Sequence, residues 1–287
     1  MNHEKVLIVS HDIGAANIIN ENLKKFDDIH FYCEGPALKL FKQNYPNAVF
    51  FSDLEAAFNN TYSLIITGTG YMTSLEHSAR KIGLNKKFKT VAVIDHWINY
   101  ESRFIFKEEK VLPNEIWVGD SLAFEIASNT FPKCTIKKVD SYYKKIVNNI
   151  KKINNSLHDI LYLSEPLREP WAKTQPEEIE ALLYFYKLIK KSSFSKTPIR
   201  LRLHPTEETL LYKNAIQKHQ LTLEFDPIKN LEESIANADL VIGLHSSALA
   251  IATDADKKVY HAFPDYGVKC KLPHAAIKPI KEIDSLG

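Results

Sequence analysis

The sequence predicts an α/β protein of two successive domains, each with a parallel sheet covered by helices. Short, nearly continuous apolar runs alternate with helical patterns along the chain, which is typical of strands buried on both faces of a sheet. Successive runs are spaced ~20–30 residues apart, as in strand-helix-strand units. The chain has 287 residues, which fits two domains of roughly 140 residues better than a single core.

The first domain is expected over residues 1–145. Its strands are expected at six apolar runs: Val6–Val9, Ile29–Cys33, Val49–Phe51, Leu64–Ile66, Thr90–Ile94 and Glu115–Val118. The stretch 140–158 is rich in lysine and asparagine and lacks a strong apolar face. We interpret it as a solvated helix that links the domains, with a phosphate-binding or membrane-surface patch as the alternative.

The second domain is expected over residues 156–287. Its strands are expected at Asp159–Leu163, Ile199–Leu203, Leu221–Phe225, Leu240–Ile242 and, as the last of the series, Lys258–Ala262. Residues 176–191 predict an amphipathic helix, because Pro176 lies at the start and three glutamates occupy the first turn, where the helix dipole favours acids. Shorter helices are expected at 230–237 and from Ala248 onward.

Composition argues against several classes of protein. The 37 basic and 35 acidic residues leave a net charge of +2, so the overall charge does not favour nucleic acid as a partner. No run approaches the ~18 apolar residues of a membrane span, and the N-terminus lacks the pattern of a signal peptide. Three widely spaced cysteines indicate neither a disulfide framework nor a zinc site. We therefore expect a cytoplasmic protein with at most peripheral membrane contact.

Polar residues follow most of the expected strands. Six such clusters occur: Ser10 to Asp12, Thr67 to Gly70, Asp95 with His96, Ser164 with Glu165, His204, and His245 to Ser247. In open parallel sheets, ligands bind outside the carboxyl ends of the strands. The clusters therefore predict a binding site along these edges, with several histidines in it.

The segment 240–252 has the pattern of an anion site. A strand ends in Gly243, and His245, Ser246 and Ser247 precede a helix of small residues. The helix N-terminus offers free backbone N–H groups and partial positive charge, to which the serine hydroxyls add donors. The alternative is that one serine merely caps the helix, which accounts for only one of the two.

The pair His204-Pro205 ends another expected strand. The proline disfavours a helix at His204, so the imidazole is expected to project from the edge of the sheet. A histidine donor there would stabilise negative charge on a departing phosphate. A capping or merely buried histidine is the alternative.

A strand ending in His-Pro, followed roughly forty residues later by a strand ending in Ser-Ser, resembles the bacterial sialyltransferases and related enzymes that use CMP-activated nonulosonic acids. The segment 161–167, LYLSEPL, also looks like the first strand and turn of that family's second domain. The resemblance implies the GT-B fold, in which two Rossmann-like domains face a central cleft. It places His204, Ser246 and Ser247 at the CMP donor. We also expect Gly14, Ser164, Glu165 and Pro205 to take part in substrate or donor binding.

The first domain departs from that family. Sialyltransferases have two acids before a glycine, whereas this chain has Asp12-Ile13-Gly14. A carboxylate at Asp12 is still suited to take a proton from an acceptor hydroxyl, and helix capping is the alternative. Asp95 is the other candidate base, with His96 as an orienting or acid–base partner.

The segment from Asp95 to Arg103 is dense in polar and aromatic residues. Trp97 and Tyr100 are suited to stack on a sugar, and Arg103 to hold a carboxylate. The alternative is a buried Asp–His pair with its aromatics in the core. Because this cluster also follows a strand, a role in the site is expected here, either as the base or in acceptor binding.

Residues Thr67 to Gly70 form a glycine turn that lets backbone approach a ligand, with Thr69 as a contact. Neither GxGxxG nor a P-loop occurs, which disfavours a dinucleotide or ATP site. Glu76 and His77 are interpreted as solvated positions of the next helix. No HxxxH pattern occurs, and we expect neither an essential metal nor a cofactor besides the donor.

Together these features predict a glycosyltransferase that moves a sialic, pseudaminic or Kdo-type sugar from a CMP-sugar. The acceptor is expected to be a glycan or lipid-linked saccharide destined for cell-surface polysaccharide. A UDP-N-acetylhexosamine epimerase-hydrolase of the same architecture is one alternative. A non-catalytic protein that binds a nucleotide sugar is the other.

Overall fold

A computed structural model describes residues 4–70, 73–167, 170–172 and 174–284. The chain divides into two compact units, Met1–Lys144 (unit 1) and Lys145–Gly287 (unit 2). Among the described residues, no helix combines the length and apolar character needed to cross a bilayer.

Unit 1 contains a seven-stranded parallel sheet with the strand order β3-β2-β1-β4-β5-β8-β9. Its elements in chain order are β1 (Lys5–Ser10), α1 (Ile13–Glu21), β2 (Asp28–Cys33), α2 (Gly35–Asn44), β3 (Val49–Phe50), α3 (Leu54–Phe58), β4 (Leu64–Thr67), α4 (Leu75–Asn85), β5 (Lys89–Ile94), the antiparallel hairpin β6 (Ile105–Phe106) and β7 (Glu109–Lys110), β8 (Glu115–Val118), α5 (Ser121–Thr130) and β9 (Thr135–Lys138).

The apolar run of β1 explains why helices cover both faces of this sheet. Val6 and Ile8 pack in one core cluster with residues of α1 and α2. Leu7 and Val9 point to the opposite face and pack with residues of α3 and α4. Successive side chains of a strand alternate between faces, so a continuous apolar run requires apolar partners on each side.

A helix, α6 (Tyr142–Lys152), spans the boundary between the two units. The sequence-based interpretation of this stretch was wrong in one respect, because the helix does have an apolar face. Ile146 and Ile150 are both buried, and their spacing of four residues places them on one side of a helix.

Unit 2 contains a six-stranded parallel sheet with the order β12-β11-β10-β13-β14-β15. Its further elements are β10 (Asp159–Leu163), α7 (Glu177–Ile189), β11 (Ile199–Arg202), α8 (Thr209–His219), β12 (Glu224–Phe225), α9 (Leu231–Ala236), β13 (Ala238–Gly243), α10 (Ser247–Asp254), β14 (Lys258–His261) and β15 (Lys278–Pro279). Strand β12 is shorter than expected, and β15 lies beyond the strand that the sequence predicted as the last.

Both sheets reverse their strand order beside the first strand of the unit. In unit 1 the reversal falls between β1 and β4, and in unit 2 between β10 and β13. The loops after such neighbouring strands lead to opposite faces of the sheet and leave a crevice between them, which is where open α/β sheets bind ligands. Each unit therefore has one such crevice at the carboxyl edge of its sheet.

Candidate active site

The crevice of unit 1 begins with His11 and Asp12, directly after β1. Asp12 occupies the N-cap position of α1, but its side chain makes no capping hydrogen bond. Its Oδ1 atom lies 2.7 Å from Nδ1 of His11. The capping alternative for Asp12 is therefore wrong, because the carboxylate binds the neighbouring imidazole.

The backbone of His11 is held from two further elements. Its N–H donates to Oε1 of Glu76 on α4 at 2.9 Å, and its carbonyl accepts from the N–H of Ala37 on α2 at 3.0 Å. The side chains of His11 and Asp12 remain 22% and 33% exposed. This histidine is thus fixed in position and still reachable from solvent.

Glu76 corrects the sequence-based interpretation of α4. It is 1% exposed, and its neighbour His77 is also buried. Burial raises the pKa of Glu76 to about 7 because desolvation penalises the charged form. Its Oε2 and the hydroxyl of Ser10 are buried without a hydrogen-bond partner among the described residues. A buried glutamate in this crevice was missed, since helix position alone does not reveal burial.

Asp95 follows β5 and pairs with Arg103. Its Oδ1 lies 3.1 Å from the guanidinium, which also contacts Oγ1 of Thr69 at 3.3 Å. Thr69 is buried and its hydroxyl donates to the carbonyl of Val93. Arg103 therefore binds a carboxylate of its own chain, and the Thr69 hydroxyl binds the backbone of β5. That either residue contacts a ligand stays a prediction.

Gly14 lets Asp95 reach the start of α1. A Cβ atom at this position would lie 1.9 Å from Oδ2 of Asp95, far inside contact distance, so a larger residue would displace that carboxylate. The carboxylate thereby lies against the first turn of a helix, where partial positive charge favours it. Gly14 therefore leaves room for Asp95, and its expected place in a substrate- or donor-binding site stays a prediction.

The aromatic residues of this cluster belong to the core. Trp97 and Tyr100 are each 5% exposed. The indole N–H of Trp97 donates to Asp120 at 2.9 Å, and Nδ1 of His96 accepts from the Trp97 backbone N–H. The expectation that Trp97 and Tyr100 stack on a sugar is therefore wrong, and the alternative of core aromatics is correct.

The crevice of unit 2 contains the start of α10. Ser246 occupies the N-cap position, but its side chain makes no capping hydrogen bond. Its hydroxyl is buried without a partner among the described residues, and Ser247 is the first residue of the helix. The capping alternative for Ser246 is therefore wrong, and a donor is available at a helix N-terminus.

Glu165 and His245 connect the two sides of this crevice. The backbone N–H of His245 donates to Oε2 of Glu165 at 3.0 Å, and the imidazole Nε2 lies 3.8 Å from Oε1. Burial raises the pKa of Glu165 to about 7. The loops after β10 and β13 are thus joined by a carboxyl group that gains and loses its proton near neutrality.

His204 stands on a loop that Glu207 organises. The carboxylate of Glu207 accepts from the backbone N–H of His204 at 2.7 Å, and also from the hydroxyls of Ser164 and Tyr212. Ser164 is buried by these contacts. Glu207 was missed by sequence reasoning, because a glutamate three residues after His204 has no distinctive pattern.

The His204 ring has a defined orientation. Its Nδ1 lies 3.3 Å from the backbone N–H of Thr206, which can only donate, and 2.8 Å from the Thr206 hydroxyl. Nδ1 is therefore the acceptor, and the proton of the neutral ring is on Nε2. Desolvation lowers the pKa of His204 below its ordinary value, although Glu207 opposes this. At neutral pH the exposed ring thus offers one N–H donor, beside the exposed Pro205.

No grouping of three or more His, Cys, Asp or Glu side chains suited to hold a metal ion occurs within the described ranges. The cysteines at 33, 134 and 270 are all free thiols. The prediction that no metal is required stays a prediction.

Comparison with known proteins gives structural matches alone. No protein-family model matches the chain, and no curated protein sequence matches it. It is similar to UDP-GlcNAc 2-epimerase from Methanocaldococcus jannaschii, with 12% identity, 90% of this chain and 83% of that chain covered, and a TM-score of 0.59. It is also similar to UDP-GlcNAc 2-epimerase from Neisseria meningitidis bound to UDP-GlcNAc, with 10% identity, coverage of 90% and 82%, and a TM-score of 0.57.

A third similar structure is the α/β-galactoside α-2,3-sialyltransferase from Photobacterium phosphoreum, with 13% identity, coverage of 97% and 99%, and a TM-score of 0.48. At these identities the two epimerase matches show the fold alone. The predicted fold class is confirmed: the chain is an α/β protein of the GT-B-like type, with two Rossmann-like parallel sheets.

Proposed function

We propose that this chain is a glycosyltransferase that uses a nucleotide sugar as donor. The observation that carries the proposal is the crevice of unit 2. There the unsatisfied hydroxyl of Ser246 lies at the N-terminus of α10, in the sheet edge where α/β proteins bind nucleotides. A hydroxyl donor, free helix N–H groups and a neutral histidine donor suit a phosphate group.

Unit 2 supplies the donor site in this proposal. Ser246, Ser247 and the first N–H groups of α10 bind the phosphate, and Nε2–H of His204 stabilises the charge that develops as the nucleotide departs. Helix and side-chain donors take the place of a metal ion. The choice of a CMP-nonulosonic acid as donor rests on the His-Pro and Ser-Ser pattern.

Glu165 constrains how this site works. An ionised carboxylate beside a phosphate is repelled by it, whereas a protonated carboxyl donates a hydrogen bond. Because burial already raises the pKa of Glu165 to about 7, a bound phosphate favours the protonated form further. His245 and Glu165 therefore serve nucleotide binding best at or below neutral pH.

Unit 1 supplies the group that accepts the proton of the acceptor hydroxyl. The carboxylates of Asp12 and Asp95 lie at its crevice, and Asp95 is already engaged by Arg103. The acceptor is proposed to be a glycan or lipid-linked saccharide used in cell-surface polysaccharide. Its recognition rests on exposed polar groups, since Trp97 and Tyr100 are buried.

An epimerase or hydrolase that acts on a UDP-sugar is the second candidate. It is favoured by the fold similarity to two UDP-GlcNAc 2-epimerases, one of them bound to UDP-GlcNAc. It differs in a measurable way, because it needs no acceptor. Products from UDP-GlcNAc alone would favour it over the transferase.

A thermal-shift titration with CMP, UDP, ADP and GDP tests the donor site. A ligand that binds the folded state raises the melting temperature with concentration. We expect stabilisation by CMP, and Ser246→Ala should weaken it about ten- to one hundred-fold, since a hydrogen bond to a charged group contributes about 1.5–3 kcal/mol.

Ser128→Ala is the matched control, because Ser128 is half-buried on α5 in unit 1 and its hydroxyl donates to the carbonyl of Phe124 in the same helix. Stabilisation by UDP alone would move the proposal to the epimerase or to a UDP-sugar transferase. Binding without turnover on any nucleotide sugar would favour a non-catalytic binding protein. Absence of a shift with all four nucleotides would overturn the donor site.

A further inference from the structure

His11 is held by groups from three parts of unit 1. The backbone N–H of His11 donates a hydrogen bond to Glu76 on α4, and its carbonyl accepts one from the N–H of Ala37 on α2. The Asp12 carboxylate lies 2.7 Å from Nδ1 of the His11 ring. These contacts fix both the backbone and the ring of a histidine that is 22% exposed. Among the described residues, the hydrogen bonds of His11 do not involve its ring nitrogen Nε2.

The tautomer of His11 follows from the Asp12 contact. Carboxylate oxygens accept hydrogen bonds, so the proton of the neutral ring lies on Nδ1 and points at Asp12. Nε2 then carries a lone pair and no proton. This is the reverse of His204, whose Nδ1 accepts from Thr206. One histidine is thus arranged to accept a proton, and the other to donate a hydrogen bond.

Gly35, at the start of α2, packs against the His11 ring beside Nε2. It has a positive φ of 52°, a conformation that favours glycine. A Cβ atom there would lie 2.8 Å from Nε2 and about 3 Å from the neighbouring ring carbons. A larger residue at this position would therefore displace the imidazole.

We propose that His11, oriented by Asp12, is the catalytic base that takes the proton of the acceptor hydroxyl. The proposal rests on the proposed transferase function and replaces Asp12 in that role. A base whose second nitrogen is held by a carboxylate is the arrangement by which many enzymes activate a hydroxyl. Asp12 then acts through His11 as a positioning residue.

Nε2 of His11 accepts the hydroxyl proton while the hydroxyl oxygen forms a bond to the anomeric carbon of the donor sugar. The bond from that carbon to the phosphate oxygen breaks, and its electron pair departs with the nucleotide. The imidazolium, stabilised by Asp12, later gives the proton to water.

The tautomer is tested without any assay of activity. ¹⁵N NMR distinguishes a bare from a protonated ring nitrogen, and the His11 signals are identified as those lost in His11→Asn. We expect, at a pH where the ring is neutral, a protonated Nδ1 and a bare Nε2. Asp12→Asn should reduce this preference. A His11 ring with its proton on Nε2 in the unaltered protein would overturn the proposal.

Kinetics test the catalytic part. In His11→Asn, the amide nitrogen takes the place of Nδ1 as a donor to Asp12, but no atom replaces Nε2. This variant should lower kcat about 10²–10⁴-fold. The nucleotide-induced thermal shift should be unchanged, since that site lies in unit 2. Added imidazole should restore part of the turnover to His11→Ala and none to Asp12→Ala. His219→Asn, exposed at the end of α8, is the control.

Two different failures are distinguishable. If the unaltered chain transfers sugar and His11→Asn retains its kcat while Asp12→Asn loses it, Asp12 is the base and only this inference falls. If the unaltered chain binds no nucleotide and transfers no sugar, the proposed function itself falls, and His11 as base of a transfer falls with it.

Discussion

The buried carboxyl of Glu76 makes the stability of unit 1 depend on pH. Its pKa is raised from 4.5 to about 7, so the folded state keeps a proton that the unfolded chain loses. The stabilisation is complete below pH ~4.5 and is lost as pH rises towards 7. Since one pKa unit corresponds to about 1.36 kcal/mol, the free energy of unfolding should fall by about 2.5 kcal/mol between pH 5 and pH 8 from this group alone.

Glu76→Gln removes the titration and keeps an oxygen for the His11 N–H. Relative to the unaltered protein, the variant should therefore gain about 2.5 kcal/mol between pH 5 and pH 8. Glu76 is 1% exposed, so solvent screening scarcely reduces this figure. With a urea m-value of about 2 kcal/mol/M, the gain is a shift of about 1 M in the unfolding midpoint.

Tryptophan fluorescence is a suitable assay, because the chain has three tryptophans. In a Trp171→Phe background, the remaining Trp97 and Trp117 both report on unit 1, which avoids treating two units as one transition. Glu125→Gln, at an exposed position of α5, is the matched control. If the urea midpoint of Glu76→Gln changed with pH from 5 to 8 just as that of the background protein does, the reasoning would be refuted.

Three further outcomes are expected. Gly35→Ala should cost about 1 kcal/mol in unfolding free energy, because alanine is strained at positive φ, and it should reduce transfer far more than nucleotide binding. If Gly35→Ala reduced sugar transfer and nucleotide binding equally, a specific role of Gly35 beside His11 would be excluded. CMP should bind more weakly at pH 8 than at pH 6, measured by calorimetry, because Glu165 ionises over this range. Glu165→Gln should remove that dependence, and an unchanged dependence in the variant would exclude Glu165 as its cause. Asp226→Asn should destabilise unit 2 by about 3 kcal/mol in urea, since this buried carboxylate accepts from Arg200 and Arg202 at 2.8 Å each. A loss below about 1 kcal/mol would mean that the two arginines find other partners.

The apolar pattern of the sequence predicted the two sheets, because the burial of a strand is visible in the strand's own residues. The continuous apolar run of β1 and the spacing of the following runs reflect burial on both faces, and the parallel pairing of β1 with β2 and β4 follows from it. The two-residue strand β15 was missed, since Lys278–Pro279 is too short to show any alternation. The single apolar face of α6 was also missed, because it rests on only two isoleucines.

The sequence singled out residues that follow strands, and it did not reveal the partners that other elements bring to them. Asp12, His204 and Ser246 were singled out because the carboxyl end of a strand marks them, and their roles in a site stay predictions. Glu76 was misread as solvated, since its burial depends on how α4 packs on β1 and β4 rather than on its neighbours in sequence. Trp97 and Tyr100 were misread as exposed, because aromatic rings suit stacking on a sugar. Tertiary packing places both in the core.

The two units share one local arrangement, a histidine whose backbone N–H is bound by a glutamate, but they build it from different parts of the chain. In each crevice a histidine lies one or two residues beyond the end of a strand. Its backbone N–H donates to a glutamate carboxyl group, from Glu76 for His11 and from Glu165 for His245. Glu76 comes from a helix, whereas Glu165 comes from the loop after β10, so sequence duplication does not explain the likeness. A backbone N–H beyond the end of a strand needs a hydrogen-bond acceptor. A carboxyl group that is easily protonated provides this acceptor without placing a permanent negative charge in a site for anions or proton transfer. Both glutamates have pKa values raised to about 7, which means that any activity of this chain should respond to pH through these two carboxyl groups.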